Sequence, residues 1–157
     1  MAARPSWPRA LLAFLALPGV VGYALPLALA RPALAGPYPH PAGAALVLAG
    51  TALLVRCVRE FHVAGQGTLA PWSPPARLVT TGPYRFTRNP MYLAVFAVLL
   101  GWWLVFGRPV LALYALGFAV AVALRVPLVE EPWAVERFGG EWQAYRARVP
   151  RWIFRGL

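Results

Sequence analysis

The chain has 157 residues, 60% of them hydrophobic and 13% charged, with 15 basic side chains against 5 acidic and a net charge of +10. A soluble domain is about one-quarter charged, so the composition excludes a conventional water-soluble fold and points to a membrane protein. Every base is arginine and neither lysine nor aspartate occurs, which excludes lysine Schiff bases and aspartate dyads.

A membrane span takes about 20 mostly apolar residues. Four stretches meet or approach that length, at about 10–30, 42–58, 91–107 and 109–129. The first contains Pro18 and Pro26, tolerated in lipid where neighbouring helices satisfy the freed backbone groups. Arg4 and Arg9 precede it, and Ala28-Leu29-Ala30 or Ala33-Leu34-Ala35 resemble cleavage sites. A signal peptide has an apolar run of about 7–15 residues; this run is longer, so a retained span is predicted. The second stretch leads into residues 60–89, where Gly65-Gln66-Gly67-Thr68, Pro71, Pro74-Pro75 and Thr81-Gly82-Pro83 predict turns and loop.

Asn89-Pro90 suits a helix start, with Asn as N-cap and Pro at the first helical position. Gly107-Arg108-Pro109 is a turn short enough to make the last two spans an antiparallel hairpin. From about 131 to 152, Phe138, Trp142, Tyr145 and Val149 fall on one helical stripe, which predicts an amphipathic helix at the membrane surface, weakened at Gly139-Gly140. The expected fold is all-α: a polytopic membrane protein of about four transmembrane helices plus a C-terminal amphipathic interfacial helix, in one domain over 1–157. Residues 1–59 form an N-terminal helical pair, and 60–157 carry the loop, hairpin and tail.

Arginine placement sets the orientation. Arg4, Arg9, Arg56, Arg59, Arg77, Arg85, Arg88, Arg125, Arg137, Arg146, Arg148, Arg151 and Arg155 fall on one side, against Arg31 and Arg108 on the other. Both termini are therefore expected in the cytoplasm of a cell inner or plasma membrane. The same asymmetry accounts for the basic charge without nucleic acid, since no soluble basic domain is left to bind it. Cys57, His40 and His62 are too few for a structural zinc site, and no metal is expected.

The polar residues gather at one level. Arg85, Arg88, Asn89 and Tyr92 sit where the loop meets the third span, and Arg125, Glu130 and Glu131 where the fourth span leaves. The hairpin brings both groups to the cytoplasmic face. Each has a plain structural alternative. The arginines can anchor the topology, Asn89 can merely cap, Tyr92 can join Trp102, Trp103 and Trp133 in an aromatic belt, and the glutamates can be salt-bridged to Arg125 or the loop arginines. Arg125 lies within the apolar run, where an ionisable group is a functional candidate or snorkels to the interface.

At these residues the sequence resembles the integral-membrane methyltransferases, which include isoprenylcysteine carboxyl methyltransferases and phospholipid methyltransferases. The resemblance covers about 60–152: Thr81-Gly82-Pro83-Tyr84-Arg85-Phe86-Thr87-Arg88-Asn89-Pro90-Met91-Tyr92, a span, then Arg125 with Glu130-Glu131-Pro132-Trp133. Phe138-Gly139, Tyr145 and Val149-Pro150-Arg151 are similar to the isoprenylcysteine branch. Asn89-Pro90-Met91-Tyr92 and Glu130-Glu131-Pro132 look more like the phospholipid branch. Asn89 stands where the isoprenylcysteine branch usually has His, and Ala94 departs from a glycine-containing motif of the phospholipid branch.

The resemblance implies S-adenosylmethionine as cofactor and makes 60–157 the cofactor-binding part. Glu130 or Glu131 would hold its ammonium or ribose hydroxyls. Arg88, Arg125 or the Asn89-Pro90 helix start would hold its carboxylate, while Tyr84 and Tyr92 would line the adenine or face the sulfonium and small Ala94 would allow close approach. Glu130, Glu131 and Arg125 are the catalytic candidates, with a glutamate as base if the acceptor is an amine. The expected acceptor is lipophilic or small: an isoprenylcysteine-like carboxylate, a phospholipid amine or a thiol. A non-catalytic four-helix membrane subunit that keeps the fold is the alternative. A transporter fits less well, because no pair of interrupted helices marks a midplane site.

Overall fold

The computed structural model describes residues 15–30, 40–66 and 75–152, and every regular element among them is helical. Helix α1 is wound in widened π-type turns over Leu15–Ala24 and as α-helix over Leu25–Leu29. It is followed by α2 (Pro41–Val63), α3 (Pro90–Phe106), α4 (Pro109–Arg125) and α5 (Glu131–Arg148). A 3-10 turn at Gly82–Arg85 precedes α3, and a π-type turn at Val126–Glu130 joins α4 to α5. Arg4, Arg9, the start of the first expected span, Arg31, Ala33-Leu34-Ala35, residues 67–74 and Arg155 lie outside the described residues.

Proline starts α2, α3 and α4, where its fixed φ suits the first turn and its missing N–H is not needed. Gly107 ends α3 at φ 62°, a left-handed conformation that glycine adopts without a Cβ clash. The chain then reverses into α4 as the short turn predicts. Three local expectations are corrected. Helix α2 runs to Val63 rather than ending near 58, because Arg59 and Glu60 continue a helix whatever their polarity. Asn89 precedes α3 but its side chain makes no cap hydrogen bond; its Nδ2 donates instead to the Arg151 carbonyl at 3.0 Å. The span and the tail are not separate helices either. Pro127 lacks an N–H, yet Val126–Glu130 widens into π turns instead of breaking, and the bend falls later, at Gly139 (φ 52°, ψ −122°).

Two helices are long and apolar enough to cross a membrane by length and composition, Pro41–Val63 and Pro109–Arg148. Pro18–Leu29 and Pro90–Phe106 are apolar but shorter. At 1.5 Å per residue α3 rises about 26 Å, just under the ~30 Å hydrocarbon thickness.

Helices α2 and α3 pack with their backbones nearly touching. Gly43 faces Gly101 and Val105, and Gly50 faces Ala94 and Val98. The seven-residue spacing in both helices puts each pair on one face, as small residues do where helices approach closely without a solvent-driven hydrophobic force. Helix α1 is held differently. Pro26 leaves the carbonyl of Gly22 (four residues back) and of Val21 (five back) without its N–H. Trp102 Nε1 donates to Gly22 O and Tyr114 Oη to Val21 O, each at 3.0 Å, so α3 and α4 satisfy the groups the proline frees. Thr51 gives its proton to Val47 O at 2.6 Å, leaving it to accept from Tyr23 at 2.6 Å.

Candidate functional site

The loop before α3 is docked from both sides. Thr81 donates to Glu60 at 2.5 Å, and Gly82 sits at φ 58° against the Glu60 side chain, where a Cβ would come within 2.8 Å. That turn delivers Tyr84, which is buried with Cys57 and Val79. Its backbone carbonyl accepts from the Tyr145 hydroxyl at 2.6 Å, and burial pushes its phenol well above the ordinary tyrosine value. On the far side, the tail stripe packs as Ala134, Trp142, Tyr145 and Val149 with Leu78 and Phe138 from the edge. The apolar stripe therefore faces the loop and its own bundle.

Between these layers is a cavity of about 820 Å³, within the range of ~300–1,000 Å³ common for small-molecule sites. Its apolar lining includes Pro18 and Val21 of α1, Val95 of α3 and Phe118, Ala121 and Val122 of α4. Its polar lining is Arg88, Asn89, Tyr92, Arg125, Glu130 and Glu131, with Tyr84, Trp133, Trp142 and Tyr145 also in the wall. Seven of the nine cofactor and catalytic candidates thus line one cavity, while Arg85, grouped with them in the sequence, does not and lies 4.7 Å over the Phe86 ring. Pro90 and Ala94 are the two candidates outside it. Pro90 is buried at the start of α3, and Ala94 is fully buried with Leu54, Val95, Leu99 and Ala115, its carbonyl turned to Gly50.

The two glutamates have separate partners. Neighbours on a helix point about 100° apart. Glu130 accepts from the Tyr92 hydroxyl and from Arg125 Nε at 2.9 Å; the Arg125 side chain is 57% exposed and that of Glu130 32%. Glu131, 13% exposed, takes Arg88 Nη1 at 2.9 Å and a two-point contact from Arg151, Nε to Oε1 at 2.7 Å and Nη2 to Oε2 at 2.9 Å. Burial lowers the Arg88 guanidinium from its ordinary value, opposed by Glu131, while the hydrogen bond to Glu131 raises that of Arg151. Arg88 also lies 5.5 Å over the Trp142 ring, close enough for a cation–π contact. Arg88 Nε and Trp142 Nε1 are buried donors without a hydrogen-bond partner among the described residues.

Sequence reasoning places Arg125, Arg88 and both glutamates at one level but misses Arg151, whose role depends on the chain returning to the start of α3. Trp142 and Tyr145 are visible in the sequence as a packing stripe, with nothing there to mark them as cavity wall.

A protein that is helical throughout its described residues, with two helices long and apolar enough to cross a membrane and a ligand-sized cavity, is the class that fold and site define. Residues 39–141 match the family model for phospholipid methyltransferase. The chain belongs to this family, part of the integral-membrane methyltransferase superfamily that its motifs resemble. No curated protein and no solved structure matches it.

Proposed function

We propose that the protein is an S-adenosylmethionine-dependent methyltransferase embedded in the membrane, acting on a lipophilic or small acceptor such as an isoprenylcysteine-like carboxylate, a phospholipid amine or a thiol. The observation that carries this reading is the convergence of Tyr84, Arg88, Asn89, Tyr92, Arg125, Glu130 and Glu131 on one cavity of about 820 Å³ in a chain of the methyltransferase family.

The residues suit the cofactor. Its two-ended charge, an ammonium with a carboxylate, finds both carboxylates and guanidiniums in the polar wall. The buried, unpartnered Arg88 Nε and Trp142 Nε1 are donors that a ligand would satisfy, removing a penalty of about 1–3 kcal/mol for each unmade bond. When bound, the cofactor supplies a methyl group activated by a sulfonium centre. Tyr84, Tyr92 and Trp133 offer aromatic faces for adenine or for that cation. Glu131 is committed to two guanidiniums and holds Arg88 in place. Glu130, less buried and shared between Tyr92 and Arg125, is the carboxylate free to take an ammonium or, with an amine acceptor, a proton. Arg125 acts through Glu130 by holding its carboxylate in place through the 2.9 Å contact. Pro90 contributes the helix start, and Ala94 sets how closely α3 approaches α2. The apolar part of the lining, with Val21, Phe118 and Val122, suits an acceptor arriving from lipid, and alignment of acceptor and methyl group would supply much of the rate.

We read four helices in the membrane, α1 to α4, with α5 at the cytoplasmic surface and both termini on that side, because the arginines cluster there. Calorimetric titration of the detergent-purified protein with S-adenosylmethionine and its demethylated product tests the function. Saturable binding, weakened in Glu130→Gln and in Glu131→Gln, is expected. Folded protein that binds neither ligand would refute the reading and favour a non-catalytic subunit.

A further inference from the structure

Pro150 and Arg151 lie beyond α5 and beyond the matched region, yet hydrogen bonds tie them firmly to the cavity wall. The Arg88 N–H donates to Pro150 O at 2.9 Å. The Thr87 hydroxyl and Asn89 Nδ2 both donate to Arg151 O, at 3.1 and 3.0 Å. The Arg151 guanidinium then forks onto Glu131. Arg88, Asn89 and Glu131 line the cavity, whereas Arg151 stands behind them with 40% of its side chain exposed.

This arrangement decides what Arg88 has to offer. An arginine and a carboxylate left alone favour the two-point fork, which would occupy Arg88 on both oxygens of Glu131. Here Arg151 takes Oε2 and shares Oε1, so Arg88 reaches the carboxylate through Nη1 only and its Nε stays unpartnered. Two guanidiniums on one carboxylate also leave a net positive charge beside the cavity, in a partly buried place where charge is weakly screened.

We propose that Arg151 is a positioning residue of the cofactor site: by forking onto Glu131 it keeps Arg88 from doing so and preserves an Arg88 donor for the carboxylate of the bound cofactor. This rests on the methyltransferase reading, and it assigns the carboxylate end of the ligand to Arg88.

The test is calorimetric titration of wild type, Arg151→Lys and Arg151→Leu with S-adenosylmethionine, its demethylated product and methylthioadenosine, which has the nucleoside and sulfur but no amino-acid end. Arg151→Leu is expected to weaken the two carboxylate-bearing ligands by about tenfold or more, the scale of one charge-assisted hydrogen bond. Methylthioadenosine should change by less than about twofold. Arg151→Lys keeps the charge but loses the fork and should fall between. If Arg151→Leu does not fold, the lysine variant carries the same comparison. Equal weakening of all three ligands would reduce Arg151 to general support and overturn the proposal, as would unchanged affinity for all three. Wild type that binds none of them would instead refute the methyltransferase reading, and the proposal with it.

Discussion

Gly50→Ala is the sharpest probe of how the bundle sets the site. A Cβ on Gly50 would stand 2.7 Å from Ala94 O, 2.8 Å from Val98 Cγ2 and 3.1 Å from Val98 N. Two of these atoms are backbone and cannot rotate away, so α2 and α3 must part by roughly 0.7 Å to reach ordinary contact, at an overpacking cost of about 1–3 kcal/mol. Against this, replacing glycine by alanine in a helix gains about 1 kcal/mol. Gly117 in α4 supplies the control, because a Cβ there meets nothing within 4 Å. Gly117→Ala should raise the thermal midpoint in detergent, Gly50→Ala should lower it, and the gap between them should correspond to about 1–3 kcal/mol. Helix α3 also carries Tyr92, with Arg88 just before its start, and a displacement approaching 1 Å can cost up to about a hundredfold in a well-aligned reaction. Cofactor affinity should therefore fall with Gly50→Ala and not with Gly117→Ala. A Gly50→Ala midpoint equal to or above that of Gly117→Ala would show that the close approach does not constrain the pair.

Trp102→Phe removes the donor to the Gly22 carbonyl and should cost about 1 kcal/mol, the usual scale for a side-chain hydrogen bond within a membrane bundle. The cost should shrink in a Pro26→Ala background, where the helix regains its own N–H; an unchanged cost by unfolding titration would separate this bond from the proline. Tyr145→Phe leaves the buried Tyr84 carbonyl without its 2.6 Å donor and should destabilise by about 1–3 kcal/mol, whereas thermal melting at the wild-type midpoint would argue against that bond. Gly139→Ala meets no steric obstacle, but at φ 52° and ψ −122° its backbone penalty of about 1–3 kcal/mol should loosen α5, seen as faster amide exchange beyond residue 139. Equal exchange would mean the bend is not required.

The parts of the fold written locally are legible in the sequence. Asn89-Pro90 marks the start of α3 and Gly107-Arg108-Pro109 its reversal into α4, because proline and glycine act on their own residue's backbone. The end of α2 is misjudged when hydropathy is used as a proxy for helix, since Arg59 and Glu60 leave the apolar stretch without leaving the helix. The join between the fourth span and the tail is misjudged as well: the π turn at Val126–Glu130 carries the helix past Pro127, and the bend falls at Gly139, where a residue without Cβ takes a conformation others resist. The tail stripe is legible as one covered face, but an amphipathic pattern does not say what covers it. Here Leu78 and the rest of the stripe's own cluster cover it.

Ion pairs of the glutamates with Arg125 and a loop arginine were legible as an alternative in the sequence, but not which glutamate takes which arginine. Glu130 and Glu131 are identical in type and adjacent in sequence, and nothing in the string distinguishes them. The helix does, since successive side chains diverge by about 100°. One carboxylate turns to Tyr92 and Arg125, the other to Arg88 and to an arginine that the tail brings back to the start of α3. Sequence order cannot give that last contact, because it depends on where α5 ends after the bend at Gly139 and on Thr87 and Asn89 catching the Arg151 carbonyl. The hydrogen bond that Asn89 withholds from its own helix is one of those that tie the tail to the start of α3. A local rule thus fails at the residue where a longer-range contact has taken its side chain, and that residue stands in the wall of the cavity.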